Sequence, residues 1–171
     1  MRFRWGGLWL ALLLAAAPAA GQARFSLPVE LTDGLAVSGS PPHPFTASLR
    51  LHPTVALDRR GAFQAALTGA AVFTNPEVAF LGGGRLTARV AQFQYSILPL
   101  ASIHLAAEGL AGTRERSRVG GGVILDVGGG LVQLTLRAAR DVRQDVTFAE
   151  GGLGLDLWLL FGPKGEPDPF D

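Results

Sequence analysis

Apolar and polar side chains alternate with a period of two along most of the chain. In residues 45–57 the apolar side chains fall on one face, and threonine, serine, arginine and histidine fall on the other. The same alternation recurs at 101–112 and 131–139, and no segment after residue 23 shows sustained apolar residues at helical spacing. The strongest repeat lies near the end of the chain, at Leu153, Leu155, Leu157, Leu159 and Phe161.

Turn residues divide this alternating region into eight predicted strands. An even number of strands of about ten residues or more, tilted across the hydrocarbon, is what a small transmembrane barrel requires. The sequence therefore predicts an all-β protein, an antiparallel up-and-down β-barrel that follows an N-terminal signal peptide. The predicted strands are residues 25–38, 45–57, 62–74, 85–97, 101–112, 118–127, 131–140 and 146–161.

The connections between these strands are predicted to differ in length. Those after the even-numbered strands are short, at 58–61, 98–100 and 128–130, whereas those after the odd-numbered strands are longer or more polar. Outer-membrane barrels alternate in this way, with tight periplasmic turns and longer outer loops. Because the number of predicted strands is even, both ends of the barrel domain are then expected on the periplasmic side. The longer connections are residues 39–44, 75–84, 113–117 and 141–145.

In this pattern the chain resembles the small eight-stranded outer-membrane β-barrel proteins, over nearly all of the sequence after residue 23 and without a family-specific motif. Such proteins usually end in an aromatic residue that closes the last strand and marks it for insertion. Residues 157–161, Leu-Trp-Leu-Leu-Phe, look like that strand, although a Pro-rich, charged tail at 162–171 follows them. The resemblance implies outer-membrane lipid and the barrel-insertion machinery as partners, and it leaves the oligomeric state open.

The N-terminus has the features of a bacterial signal peptide. Arg2 and Arg4 form a basic start, residues 8–17 an apolar run, and residues 17–23 a small-residue segment that a signal peptidase could cut after Ala23 or, alternatively, Ala19. The apolar run is shorter than the roughly 20 residues that cross a bilayer. The predicted division is therefore a signal peptide at 1–23, a β-barrel domain at 24–161 and a C-terminal tail at 162–171.

The amino-acid composition supports localisation in the cell envelope and excludes several classes of function. The 171 residues are 48% hydrophobic and 17% charged, with 23 glycines and a single lysine, so few side chains suit a wet surface. Removing Arg2 and Arg4 from the 15 basic side chains leaves 13 against 14 acidic ones. A nucleic-acid partner is therefore not expected, because it would need a basic surface. The absence of cysteine excludes disulfides, thiolate metal sites and a lipoprotein anchor.

We expect the apolar faces of the strands to contact acyl chains and the polar faces to line a narrow lumen, in which opposite charges neutralise one another. The predicted lumen network consists of Arg50, Arg85, Arg89, Glu108, Asp126, Arg137 and Asp156. The predicted lipid-facing residues are Leu49, Leu51, Val55, Leu105, Val132, Leu134, Leu136, Leu153, Leu155, Leu157, Leu159 and Phe161.

A soluble periplasmic barrel that binds an apolar ligand is the main alternative, because the same alternation can be turned inside out. In that case Leu49, Leu134 and Leu155 would line an internal cavity. Two features resist the membrane interpretation: Pro53 lies within a predicted strand, and Trp158 falls on the polar face of the last one.

Evidence for chemistry is sparse. The glycine triplets at 82–84, 120–122 and 128–130 lack the Lys-Ser/Thr pair and helix of a phosphate loop, so turns and bulges are expected. His43, His52 and His104 have no metal-ligand spacing. We therefore expect no catalysis, no cofactor and no metal. A lipid-modifying membrane enzyme is a lesser alternative, since Ser102, His104 and Glu108 share one strand face.

Aromatic residues near the ends of the predicted strands suggest the depth of the barrel in a bilayer. Outer-membrane barrels carry aromatic girdles at both membrane interfaces. Ordinary core aromatics would give a similar pattern. The residues expected in such girdles are Phe45, Phe73, Phe80, Tyr95, Phe148 and Phe161.

Overall fold

Ten antiparallel strands and one short helix form the ordered part of the chain in the computed structural model. The structure describes residues 25–39, 44–74, 77–93, 101–113 and 116–162. The predicted signal peptide and nearly all of the predicted tail lie outside those ranges. The elements are β1 Phe25–Ser26, β2 Pro28–Ser38, β3 Phe45–Leu51, β4 Thr54–Ala56, β5 Phe63–Thr74, β6 Glu77–Phe93, β7 Ala101–Gly112, β8 Ser117–Val127, β9 Val132–Asp141, β10 Val146–Asp156 and α1 Leu157–Phe161.

The strands form a closed antiparallel barrel. From β5 to β10 each strand pairs with the next one along the chain, β2 pairs with β3, β1 pairs with β4, and both β3 and β4 pair with β5. The barrel closes where β10 pairs with β2, from Asp156 opposite Pro28 to Thr147 opposite Ser38. Short breaks divide the first two barrel strands into β1 with β2 and β3 with β4, which leaves eight strands around the barrel. The predicted all-β class and eight-stranded antiparallel barrel are confirmed.

The two breaks explain how the barrel accommodates proline. Pro53 lies between β3 and β4, where the absence of its N–H removes no ladder hydrogen bond. Its carbonyl still accepts from Leu67 N at 3.1 Å, and the carbonyl of Pro28 accepts from His52 N at 2.9 Å. Both prolines therefore lie where the pairing is already interrupted, and Pro53 is compatible with a sheet that has no free edge.

The fourth barrel strand begins earlier than the sequence predicted. Residues 75–84 were expected to form a loop, but β6 begins at Glu77 and runs through the glycine triplet. Ala79 is buried and Phe80 is exposed, so the inside–outside alternation is already present there. The prediction was wrong because glycines that signal a turn elsewhere allow close contact between strands here. The predicted end at Ile97 falls in 94–100, outside the described residues.

The predicted asymmetry of loop lengths is not found among the connections that the structure describes in full. At the end of the barrel that carries residue 39, the connection between β9 and β10 is 142–145. At the opposite end residues 94–100 lie outside the described ranges, and the connections at 57–62 and 128–131 are no shorter. Turn chemistry was interpreted correctly at the last of these, where Gly128, Gly129 and Gly130 have φ of 69°, 70° and 97°.

The last predicted strand is also corrected, because it ends at Asp156 and α1 follows. Beyond that residue the pairing runs out: β9 begins at Val132, Pro28 has no N–H to donate, and one backbone hydrogen bond remains, from Leu157 N to the carbonyl of Leu27 at 3.0 Å. The Asp156 carboxylate then caps the helix, accepting from the backbone N–H of Trp158 at 2.9 Å and of Leu159 at 3.4 Å. Helix α1 has five residues, and no helix in the described ranges is long and apolar enough to span a membrane.

Two adjacent glycines of β6 should respond very differently to alanine. A Cβ on Gly83 would overlap the carbonyl oxygen of Gly109, whereas a Cβ on Gly82 would meet nothing within 4 Å. Gly83→Ala is therefore expected to lower the free energy of unfolding by about 1–3 kcal/mol, and Gly82→Ala to change it by less than about 0.5 kcal/mol. Urea unfolding of both variants tests this, and equal effects would contradict the close strand contact.

Candidate functional site

The interior of the barrel is polar. Twenty polar or charged residues of the described chain are buried, against eleven apolar ones. The alternation of each strand produces this arrangement, because every second side chain points into the lumen. The interior is therefore the part of the molecule with the highest density of ionisable groups, and eight of its charged or titratable residues form one connected network. The charged or titratable members of that interior ion network are Glu30, Arg50, His52, Arg85, Glu108, Arg118, Arg137 and Glu150.

Glu150 on β10 is the first centre of this network. Its Oε2 accepts from Arg50 Nη2 at 2.7 Å and from Arg137 Nε at 2.6 Å, and its Oε1 accepts from Arg118 Nη1 at 2.8 Å. None of the four side chains is more than 5% exposed. The guanidinium of Arg118 also lies 4.9 Å from the ring centroid of Phe148. One carboxylate thus holds three cations that come from three different strands.

Glu30 on β2 is the second centre. Its Oε2 lies 3.1 Å from His52 Nε2 and 3.5 Å from Arg85 Nη1, and its Oε1 lies 3.2 Å from Arg137 Nη2. Glu108 pairs with Arg50 and lies 3.9 Å from Arg137, so the two centres are joined. His52 lies beside β2, but the contacts of Glu30 with Arg85 and Arg137 cross the lumen between strands that are not neighbours.

Interior glycines provide room for these long side chains. A Cβ on Gly152 would lie 2.5 Å from Glu30 Oε1 and 2.6 Å from Thr32 Cγ2. A Cβ on Gly34 would lie 2.8 Å from Thr46 Oγ1 and 3.0 Å from Glu150 Cγ. Both glutamates therefore occupy space that larger residues at positions 34 and 152 would fill.

The structure brings four of the seven predicted lumen residues together, namely Arg50, Arg85, Glu108 and Arg137. Asp126 lies apart, 3.1 Å from His104. Asp156 is buried but serves as the helix cap, and it also accepts from Leu27 N at 3.0 Å. Arg89 donates to the carbonyl of Arg60 at 2.7 Å, near the turn at the end of the barrel.

Sequence reasoning missed four members of the network: Glu30, His52, Arg118 and Glu150. Glu150 shares the parity of Asp156 in the last predicted strand, and Glu30 shares that of Thr32 in the first, so the rule applied to the other strands could have found both. Arg118 was predicted as the first residue of a strand but was not placed in the lumen, whereas it begins the buried part of β8.

Ser102, His104 and Asp126 form a cluster whose geometry does not match a catalytic triad. Ser102 Oγ lies 2.9 Å from His104 Nε2, and Asp126 Oδ2 lies 3.1 Å from the same nitrogen. A triad needs the carboxylate and the nucleophile on different ring nitrogens. His104 Nδ1 is buried without a hydrogen-bond partner among the described residues, and Glu108 binds Arg50 instead. His104 is also inside the barrel, away from the outer face.

The interior holds little free space where the network crosses it. A cavity of about 10 Å³ lies among Arg85, Glu108, Thr135 and Arg137, which is about the space of one water molecule. Within the described part of the chain, no group of three or more histidines, aspartates or glutamates is arranged to hold a metal ion. The network itself therefore fills the lumen at this level.

The outer face of the barrel is apolar. Leu136 is 72% exposed and Leu31 is 65% exposed, both in the middle of long strands. Leu49, Leu134 and Leu155 are also exposed, so they line no internal cavity. Leu159 and Phe161 are exposed on α1 rather than on a strand, and Leu157, Val55 and Val132 are half-buried. The other predicted lipid-facing residues, Leu51, Leu105 and Leu153, are exposed on strands.

Exposed aromatic residues gather at the two ends of the barrel. Phe45, Phe73 and Phe80 lie at the end that carries residue 39. The prediction of Phe148 as a girdle residue is wrong. Phe148 is buried in the lumen, because it lies on the same face of β10 as Glu150. Tyr95 lies outside the described residues. The exposed aromatics at the opposite end are Phe63, Phe93, Trp158 and Phe161.

Comparisons with protein-family models, with curated proteins and with solved structures give no match to this chain.

Proposed function

We propose that this chain is an exported outer-membrane β-barrel with a structural or surface-interaction role and no catalysis. The observation that carries the proposal is the inverted distribution of its side chains. Glutamates and arginines are buried in the lumen, while leucines, valines and phenylalanines form the exposed face of the strands. A water-soluble domain of this size rarely exposes so large a continuous apolar surface, whereas acyl chains match it.

The two groups of exposed aromatics support the same proposal. Aromatic side chains gather at the two interfaces of a bilayer, and those of this barrel lie at its two ends, with an aliphatic band between them. Orientation follows from the chain ends: β1 and α1 lie at one end of the barrel, and in outer-membrane barrels that end faces the periplasm.

A role without transport or catalysis fits the interior best. Arg50, Glu108 and Arg137 meet across the lumen in direct ion pairs and fill it. The cluster of Ser102, His104 and Asp126 lacks the geometry of a catalytic triad, because the serine and the aspartate lie beside the same ring nitrogen of His104. The surfaces left for function are the outer face and the loops at the end that carries residue 39.

Extraction and gel mobility test the proposal. The protein in its native membranes is expected to resist salt and alkaline washes and to require detergent for release. The unheated sample is expected to migrate differently from the boiled one in gel electrophoresis, since a closed barrel survives the detergent until heated. A mature chain that is monomeric and fully folded in plain buffer would contradict the proposal, because its apolar rows could not then face lipid.

A further inference from the structure

Asp33 is the exception on the apolar outer face. It is the central residue of β2, and its neighbours on the same face, Leu31 and Leu35, are 65% and 46% exposed. Among the described residues it is the one ionisable side chain that projects outward from the middle of a strand. Arg140 lies beside the end of β9, and Glu77 begins β6.

The Asp33 carboxylate has no hydrogen bond or ion pair with any residue in the described ranges. Residues directly opposite it on both neighbouring strands are small, Ala47 on β3 and Gly151 on β10. Gly151 also lines a groove of about 440 Å³ in the outer surface, together with Leu136 and the small residues Gly121, Gly122, Ala138 and Ala149, and Arg137 and Glu150 of the interior ion network are among its lining residues. The carboxylate therefore stands beside a depression that a neighbouring molecule can enter.

An unpaired carboxylate facing acyl chains is unfavourable, and ionisable groups at that depth in membrane proteins generally have a partner. The partner must supply a positive charge or strong hydrogen-bond donors. Lipid headgroups lie at the membrane surfaces, away from the middle of β2. A second, symmetrically packed copy of this chain would bring two Asp33 carboxylates together, and the described outer face offers no basic side chain at mid-strand.

We propose that Asp33 and the adjoining groove form a docking surface for another membrane-embedded protein that presents an arginine or lysine near the middle of the bilayer. The proposal rests on the outer-membrane assignment above. Small residues let the partner's backbone approach the barrel, and the carboxylate pairs with the cationic side chain where lipid excludes water. Arg137 and Glu150 also line the groove, but they pair with each other inside the barrel, which leaves Asp33 as the outward-facing charge.

Synthetic membrane-spanning peptides test the proposal directly. The mature chain is folded in phosphatidylcholine vesicles, with a fluorescent acceptor on a cysteine introduced at exposed Gln144, which is feasible because the chain has no cysteine of its own. Two leucine–alanine helices are compared by energy transfer, one with a central lysine and one with a central leucine. We expect the lysine peptide to bind about tenfold more tightly or better, and Asp33→Asn to remove that preference.

The outcomes separate the two proposals. The gel shift is measured before any peptide is added, and a chain that does not insert overturns both the outer-membrane assignment and the docking surface. Insertion with equal binding of the two peptides, or a lysine preference that survives Asp33→Asn, overturns the docking surface alone. So does a stable dimer of the wild-type chain that Asp33→Asn dissociates, because it would show a second copy as the occupant.

Discussion

Replacing Glu150 by glutamine is expected to lower the free energy of unfolding by about 3–5 kcal/mol, which is enough to prevent folding of a marginally stable barrel. The substitution keeps the shape of the side chain but removes the charge that Arg50, Arg118 and Arg137 share at 2.6–2.8 Å. Three buried guanidinium groups would then face one another, with Glu30 and Glu108 beside Arg50 and Arg137 and with Asp141 near Arg118. The gel shift and urea unfolding in vesicles measure the effect.

The exposed ion pair of Arg140 with Asp145 provides a matched control. These side chains are 58% and 76% exposed, so Asp145→Asn is expected to cost less than about 1 kcal/mol. Asparagine also tolerates the positive φ of 55° at that position. Adding Arg118→Gln to the Glu150→Gln variant should recover part of the lost stability, because it removes one of the uncompensated charges. A Glu150→Gln barrel as stable as the Asp145→Asn barrel would contradict the central role of this carboxylate.

Leu105→Arg is expected to destabilise the inserted barrel by about 2–4 kcal/mol. Leu105 is 51% exposed in the middle part of β7, several strands away from Asp33, so the new arginine has no carboxylate to pair with on the outer face. At an exposed position of a water-soluble protein the same change would alter stability by less than about 0.5 kcal/mol. Urea unfolding of the vesicle-inserted protein distinguishes the two cases.

Leu57→Arg is the control for depth. Leu57 is 52% exposed but follows β4 in the turn at the end of the barrel, where an arginine can reach headgroups and water. The expected cost is about 0–1 kcal/mol. Equal effects at Leu57 and Leu105 would contradict a hydrocarbon band around the middle of the strands.

The period-two alternation was sufficient to predict the barrel, because each strand has one face in the lumen and one outside. It was also sufficient to place Arg50 inside the barrel and Leu136 on its outer face. Local signals were less reliable where tertiary contacts decided the outcome. The glycines of 82–84 suggested a loop, but close contact between Gly83 and Gly109 requires glycine within a strand. Leucines at 157 and 159 continued the strand pattern, but the partner strands had ended.

The composition of the site was harder to predict than the fold. Alternation indicates that a side chain faces the lumen, but it does not say which charge lies opposite. Arg137 lies directly opposite Glu150 on the neighbouring strand β9, but Arg50 and Arg118 come from strands that do not pair with β10, and their meeting with Glu150 depends on the tilt and register of the barrel. Asp33 was overlooked because a single carboxylate hardly changes the pattern of a strand, although its parity was readable from Leu31 and Leu35.

The seam between β2 and β10 constrains the order of events when the protein is made. That seam joins residues more than a hundred positions apart, and β10 also brings in the carboxylate that neutralises three arginines. A nascent chain that lacks its final strand therefore has both an open sheet edge and excess positive charge where the lumen will form. Closure of the barrel must therefore wait until β10 has been synthesised, and its rate is limited by the pairing of segments that are far apart in the sequence.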